Sequence, residues 1–421
     1  MELTKTDRRW LWGTLLLALS LRLVLLLLTP GYRPFGDPSD YDQLARSLVD
    51  HHQYTSSAYA ALGSATAYRP PAYPYFLAGV YEIFGQAWTA GRIAGAVLGT
   101  GTVFLVWELA RRVAGQDVAR WAGLVAALAP PLAWTSTGLV SENLYLPLLL
   151  GAVLLILRHR ARPAGRLPIL AGLVLGAVVL TRSNAIVVLV PLLAGIWPAR
   201  RRWQDAGLLL AGFVIALVPW TIRNAVVMDT FAPLGTQSGI SMAGVLNEGA
   251  TGSAYYGVWR PPDKVAALAP YVRRPDIDET RLDSKLRHLA LDFAGDHPSY
   301  LLHVTYHHVW QLLELRDVRI TSSNSQREFG MPTGFARKTS RGGALLLMAL
   351  ALAGAFTLAA RRRLWRREHV WLWAVPVLVT VTLLPLVGAP RYRLSLDPFL
   401  CVFAGAALLA VVHKVRGRDV A

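Results

Sequence analysis

Apolar residues recur along most of the chain in runs of about eighteen, and nearly every run abuts a short basic block. A helix rises about 1.5 Å per residue, so each run is long enough to cross about 30 Å of hydrocarbon. The runs fall at 10–29, 90–111, 120–138, 140–157, 167–181, 184–197, 207–222, 342–360, 370–388 and 395–413, which predicts ten membrane-spanning helices. The basic blocks are Arg111-Arg112, the Arg158–Arg160–Arg162 cluster, Arg200-Arg201-Arg202, Arg361-Arg362-Arg363 and the pair Lys414 and Arg416. Alternating the spans puts both termini and every block on one side, which the positive-inside trend identifies as cytoplasmic. The alternation closes only if the apolar stretch 73–84, about twelve residues, lies at the interface instead of spanning. The first run follows a short basic segment, but it is long and carries no small-x-small site after it, so it reads as a helix and not as a removed leader.

Two polar regions interrupt this pattern. The first, 30–89, contains Pro30, Pro34, Pro38, Pro70, Pro71 and Pro74, and within it 37–50 reads as an amphipathic helix with Tyr41, Leu44, Leu48 and Val49 on one side. The second, 225–341, opens as an irregular loop rich in Gly, Ser and Tyr. It continues as two helices over 278–315, broken at Gly295-Asp296-His297-Pro298. The chain thus divides into an N-terminal membrane module (1–224) with a first outer loop (30–89), an extracytoplasmic loop with interfacial helices (225–341), and C-terminal membrane helices (342–421). The expected fold is an all-α polytopic membrane protein.

Composition agrees. Apolar residues make up 54% and charged residues only 16%, where a soluble domain carries roughly 25% charged residues. The net charge of +17 is spread over the blocks between spans, which argues against a nucleic-acid partner and for membrane lipid. One cysteine, Cys401, allows no intrachain disulfide.

Several charged residues played no part in choosing sides, yet all come out at the extracytoplasmic ends of helices or loops. They include Asp37, Asp40 and Asp42, Arg69, Glu142, Arg182, Arg223, Arg391 and Arg393. Arginines placed against the positive-inside trend at a water–lipid boundary call for an anion, and a planar guanidinium suits the oxygens of a phosphate. A carboxylate facing them can take a proton from an attacking hydroxyl while the arginines stabilise charge on a departing phosphate. Asp37 is the candidate base, with Asp40 and Glu142 as supporting acids, and Arg69, Arg182, Arg391 and Arg393 as candidate phosphate ligands. Tyr41, Tyr68 and Asn247 are candidate sugar or acceptor contacts, and Tyr255, Tyr256 and Trp259 are aromatics able to stack on a sugar ring. Each has an ordinary alternative. Asp37 and Glu142 stand at helix starts, where a carboxylate caps, and Arg69 can anchor to lipid headgroups. Arg22 lies within the first span, facing the bundle or reaching outward. His51-His52, His303, His307 and His308 are more commonly solvated than metal-bound, and the sequence requires no divalent metal, nor does it exclude one.

At these residues the chain resembles the GT-C superfamily of membrane glycosyltransferases, in particular the family 39-like group of polyprenyl-phosphate-mannose mannosyltransferases and aminoarabinose transferases. The resemblance rests on Gly36-Asp37 with Tyr41, Arg69-Pro70-Pro71-Ala72-Tyr73-Pro74, Leu109-Ala110-Arg111-Arg112, Ser141-Glu142, Leu180-Thr181-Arg182 and Pro219-Trp220-Thr221-Ile222-Arg223-Asn224. Gly249-Ala250-Thr251-Gly252, His297-Pro298 and Arg391-Tyr392-Arg393 add to it. It implies interfacial helices in the first outer loop, a catalytic aspartate at Asp37, a polyprenyl-phosphate sugar donor and transfer with inversion. Many relatives carry a second acid directly after the aspartate, where this chain has Pro38. The expected activity is transfer of a sugar to a hydroxyl of a glycan, glycolipid or protein. The alternative is a flippase for a lipid-linked sugar, which would place charge along a path through the membrane.

Overall fold

The computed structural model describes residues 3–55, 64–197, 201–251, 256–272, 278–316, 327–330, 334–357 and 360–417. Among them the chain is helical, and the one β-type pairing is an isolated bridge between Thr55 and Ala65. The helices are α1 (Lys5–Leu27), α2 (Asp37–His51), α3 (Ala72–Phe84), α4 (Trp88–Val113), α5 (Gln116–Leu128), α6 (Pro130–Thr135), α7 (Glu142–Ala161), α8 (Arg166–Thr181) and α9 (Leu189–Ile196). They continue with α10 (Arg202–Val227), α11 (Ser238–Ala243), α12 (Ala269–Val272), α13 (Glu279–Asp296), α14 (Pro298–Leu312), α15 (Phe335–Ala355), α16 (Val370–Leu383) and α17 (Asp397–Val415).

Five of these, α1, α4, α7, α10 and α17, are long and apolar enough to cross a membrane. The remaining predicted spans correspond to shorter or interrupted helices and to α15, whose 21 residues begin in a polar, basic stretch, so the span count of ten stays an expectation. The run 120–138 breaks at Ala129, whose ψ of 111° leaves the helical region because Pro130 and Pro131 follow. The run 184–197 opens as a 3-10 turn, Ser183–Val188, before α9. α3 has 13 residues, about 20 Å of rise, too short to span. It packs on α2, with the Tyr41 and Tyr73 rings 5.0 Å apart.

Small residues let the bundle close. A Cβ on Gly172 would sit 2.0 Å from the Leu209 carbonyl oxygen, so α8 and α10 touch backbone to backbone. At one end of the bundle the basic blocks tie helices together. Asp7 closes the capping box of α1 and receives Arg120 at 2.6 Å, and the Arg363 guanidinium donates to the Ala114 carbonyl at 2.6 Å.

The opposite end carries a second hydrophobic core formed by α11, α13 and α14, including Ile240, Leu282, Leu286, Phe293 and Val304. The helix break expected near residue 297 is present between α13 and α14. Glu279, at the start of α13, fastens this cap to the first loop. Its carboxylate accepts from the Thr66 hydroxyl at 2.5 Å, from the Ala67 amide at 2.8 Å and from the Thr236 hydroxyl. The segment leading to Arg69 is therefore held from above by the cap and from the side by α2.

Candidate active site

Gly36 adopts φ 67°, a conformation a side chain would strain, and from that turn α2 starts at Asp37. The Asp37 carboxylate makes no capping bond to the helix. It accepts instead from Arg69 Nη2 at 2.5 Å and from Arg391 Nη1 at 2.9 Å. Asp40, one turn on, receives Arg69 Nε at 2.9 Å and Nη2 at 2.6 Å.

Arg391 is the hub. It sits in the 3-10 turn Pro390–Ser395 and reaches four oxygens on three carboxylates. Its Nε and Nη2 grip Glu142 at 2.5 and 2.8 Å, while Nη1 is shared between Asp37 and Glu328, the latter at 3.0 Å. Glu142 is the first residue of α7, and its carboxylate pairs with Arg182 as well as Arg391. Arg182 ends α8 and lies 4.8 Å from the Tyr392 ring centre. Arg69 lies over Tyr68 at 4.5 Å and Tyr41 at 5.6 Å. The result is one chain of alternating charge, Asp40–Arg69–Asp37–Arg391–Glu142–Arg182, with Glu328 as a branch.

Exposure shows where this chain opens. The side chains of Arg391 and Glu142 are 4% and 3% exposed, whereas that of Asp37 is 25% exposed. Asp37 is thus the most exposed carboxylate of the cluster. Burial pushes its carboxyl up, but Arg69, Arg391 and Arg182 together hold it well below the usual carboxylate range. For Asp40 burial wins over Arg69 and the carboxyl is raised. For Glu328 burial dominates Arg391, the carboxylates of Asp37 and Glu142 add to it, and its pKa is pushed up to about 7.

Not every candidate joins the cluster. Arg393, two residues from Arg391, points into the protein, where Nε meets Asp397 at 2.9 Å and Nη1 meets Glu314 at 2.8 Å. Asp42 is spent on Tyr81, Trp88 and Arg46, holding α2 against α3 and α4. Asn247 is buried in the cap and donates to the Ala243 carbonyl at 2.6 Å. Arg223 donates to the backbone of Tyr54 and Thr66. Tyr256 packs edge-on against Tyr300, and Trp259 against Gly244, both within the cap. Tyr255 and Gly252 lie outside the described residues.

Glu328 went unrecognised in the sequence. It is a lone acid in a polar segment with no apolar period around it, and only its proximity to Arg391 marks it. His308 bonds the Leu384 and Gly257 carbonyls, and His307 meets Arg316. Among the described residues no three His, Cys, Asp or Glu side chains converge as a metal site needs. The cluster carboxylates are each already engaged by arginine, a surrounding that does not fit a divalent cation, so no step is routed through one.

Residues 68–222 match the dolichyl-phosphate-mannose-protein mannosyltransferase family. The chain also superposes on solved structures. The archaeal oligosaccharyltransferase AglB from Archaeoglobus fulgidus, in complex with an inhibitory peptide and a dolichol-phosphate, matches with a TM-score of 0.53 and 15% identity over 98% of this chain. The oligosaccharyltransferase of Archaeoglobus fulgidus in complex with Zn and sulfate matches with a TM-score of 0.52 and 14% identity over 96% of this chain. This chain spans about half the length of those proteins, 52% and 50%. ArnT from Cupriavidus metallidurans, bound to undecaprenyl phosphate, matches at a TM-score of 0.45 and 14% identity, over 96% of this chain and 79% of that one. At such identities the likeness to the solved structures is one of fold. No curated protein sequence matches the chain.

Proposed function

We propose that this chain, a GT-C superfamily membrane glycosyltransferase by its family match and shared fold, moves a sugar from a polyprenyl-phosphate donor to an acceptor hydroxyl at the extracytoplasmic face. Asp37 held between Arg69 and Arg391 is the observation that carries the proposal. The dolichol-phosphate in the archaeal oligosaccharyltransferase structure supports a lipid-phosphate carrier. The basic blocks at the far end of the bundle support the orientation.

The chemistry follows from the cluster. The acceptor hydroxyl gives its proton to the Asp37 carboxylate as its oxygen attacks the anomeric carbon. The bond from that carbon to the phosphate oxygen breaks, and its electron pair leaves on the phosphate. Attack opposite the leaving group inverts the anomeric centre. Arg69, Arg391 and Arg182 stabilise the charge gathering on the phosphate. Without donor, Asp37 is a weak base, because two guanidiniums sit on it. A donor phosphate competes for those guanidiniums, and the basicity of Asp37 rises as they turn away. Base strength thus appears when the donor is in place, which suits general-base catalysis near neutral pH. The rings of Tyr41 and Tyr68, already stacked on Arg69, stand beside the guanidinium that holds Asp37.

The test is a transfer assay on purified protein in lipid with a panel of polyprenyl-phosphate sugars, following release of free polyprenyl phosphate. Release by the native chain and not by Asp37→Asn supports the proposal. Equal release by both moves the base elsewhere. No release with any donor, together with movement of labelled lipid-linked sugar across the bilayer, replaces the enzyme with a flippase.

A further inference from the structure

Arg22 lies in the middle of α1 and is 1% exposed. Its Nη1 donates to the carbonyls of Ala18 at 3.0 Å and Ala127 at 3.4 Å. Its Nε is buried without a partner. No carboxylate pairs with it among the described residues. A lone guanidinium within a membrane helix is costly unless a counter-charge answers it.

Next to that Nε lies a small cavity. Thr102, Thr135, Ser136, Asn143 and Glu142 line it along with Arg22 and Gly99. Gly99 is what leaves the room, since a Cβ there would stand 2.8 Å from Arg22 Nε. The hydroxyls of Thr102 and Ser136 donate to carbonyls of their own helices, at 3.1 and 2.7 Å, so lone pairs remain to face the cavity. The wall therefore offers an unpaired donor, Arg22 Nε, beside hydroxyl acceptors, with Glu142 among the lining residues. An anion would be repelled by that wall. Water is the ligand whose hydrogen bonds it completes, because water accepts from the guanidinium and donates to the oxygens.

We propose that water in this cavity links Arg22 to Glu142, making Arg22 the buried counter-ion of the carboxylate that holds Arg391 and Arg182. When all are ionised, Asp37, Asp40, Glu142 and Glu328 outnumber the Arg69, Arg182 and Arg391 that they face by one, an excess present above about pH 7 where Glu328 is charged, and Arg22 adds a positive charge on the Glu142 side. Arg22 is a positioning residue: it touches no donor atom but lowers the negative potential that a donor phosphate meets. The effect on donor binding rests on the function proposed above, whereas the water link does not.

The experiment is a double-mutant cycle of Arg22→Met and Glu142→Gln, with Arg22→Lys as the conservative control, read first as thermal stability in detergent without donor. Coupling predicts that the double variant retains more stability than the sum of the two single losses, because neither charge is then left alone. Strictly additive losses would overturn the link. A density map of the native chain in lipid nanodiscs should show ordered water between Arg22 Nε and Glu142, and a dry cavity would overturn the bridge. In the donor assay, Arg22→Met is expected to raise the KM for the polyprenyl-phosphate sugar roughly fivefold with kcat little changed, and Arg22→Lys to stay near native. Equal loss in Met and Lys variants would reduce Arg22 to a packing role. If the stability cycle couples but no donor is turned over, the proposed activity fails and the Arg22–Glu142 link stands.

Discussion

Asp37 and Arg391 are 354 positions apart, and Arg391 Nη1 donates to Asp37 Oδ2 at 2.9 Å. The contact joins the start of the first polar loop to the turn before the last helix. It makes the charge state of Asp37 depend on a residue that a donor phosphate would also seek.

Asp37→Asn keeps the shape of the side chain and loses the base. Transfer is expected to fall by about 10²–10⁴-fold while the melting temperature stays close to native. Release of polyprenyl phosphate measures the first and a thermal scan the second. Near-native turnover in a folded variant would take the base role away from Asp37.

Arg391 and Arg393 should separate by phenotype. Arg391→Lys keeps a charge but not the fork that grips Glu142 while reaching Asp37 and Glu328, so donor KM is expected to rise at least tenfold. Arg393→Ala strands Asp397, which is fully buried, and should cost about 3–5 kcal/mol of stability. Any folded fraction of Arg393→Ala should bind donor normally, which a binding isotherm corrected for active protein would show.

Glu328 brings a pH dependence whose sign can be worked out. Its pKa in the folded chain is about 7 against an ordinary 4.5, so folding favours its protonated form. Its contribution to stability is present below about pH 4.5 and is lost as pH rises through about 7. Protonation also frees Arg391 Nη1 for phosphate. Affinity for a polyprenyl-phosphate sugar, a diester that does not itself titrate here, should therefore weaken about tenfold from about pH 6 to about pH 8. In Glu328→Gln that dependence should vanish, and an unchanged pH profile would place the titrating group elsewhere.

Glu279→Ala removes one acceptor shared by Thr66, Ala67 and Thr236. The stranded Ala67 amide and the loosened cap should cost roughly 3 kcal/mol. Because this segment leads directly to Arg69, donor KM should rise while kcat at saturation recovers. A fall in kcat alone would show that Glu279 does not act through Arg69.

Much of this was legible in the sequence. The apolar runs and basic blocks determine a polytopic helical membrane chain, because hydrocarbon admits only segments that satisfy their own backbone. Asp37, Arg69, Arg182 and Arg391 stood out for a related reason: arginines set against the charge asymmetry of the membrane need an anion to hold them there. Where helices break was partly legible too, since Pro38 and Pro298 mark starts that the structure shows. Only the tertiary structure decided the rest. Arg391 and Arg393 carry the same charge two residues apart, and the direction of a 3-10 turn sends one to the cluster and the other to Asp397. Glu328 stands in a short helical stretch, 327–329, set in a polar sequence, so no local pattern ties it to Arg391. Arg22 faces the bundle because α1 packs on α4 and α5, and neither the helix period nor the cost of a buried charge names the neighbour that answers it. Sequence patterns report how each segment meets its solvent, water or lipid. Which charges meet one another is set by how the helices pack.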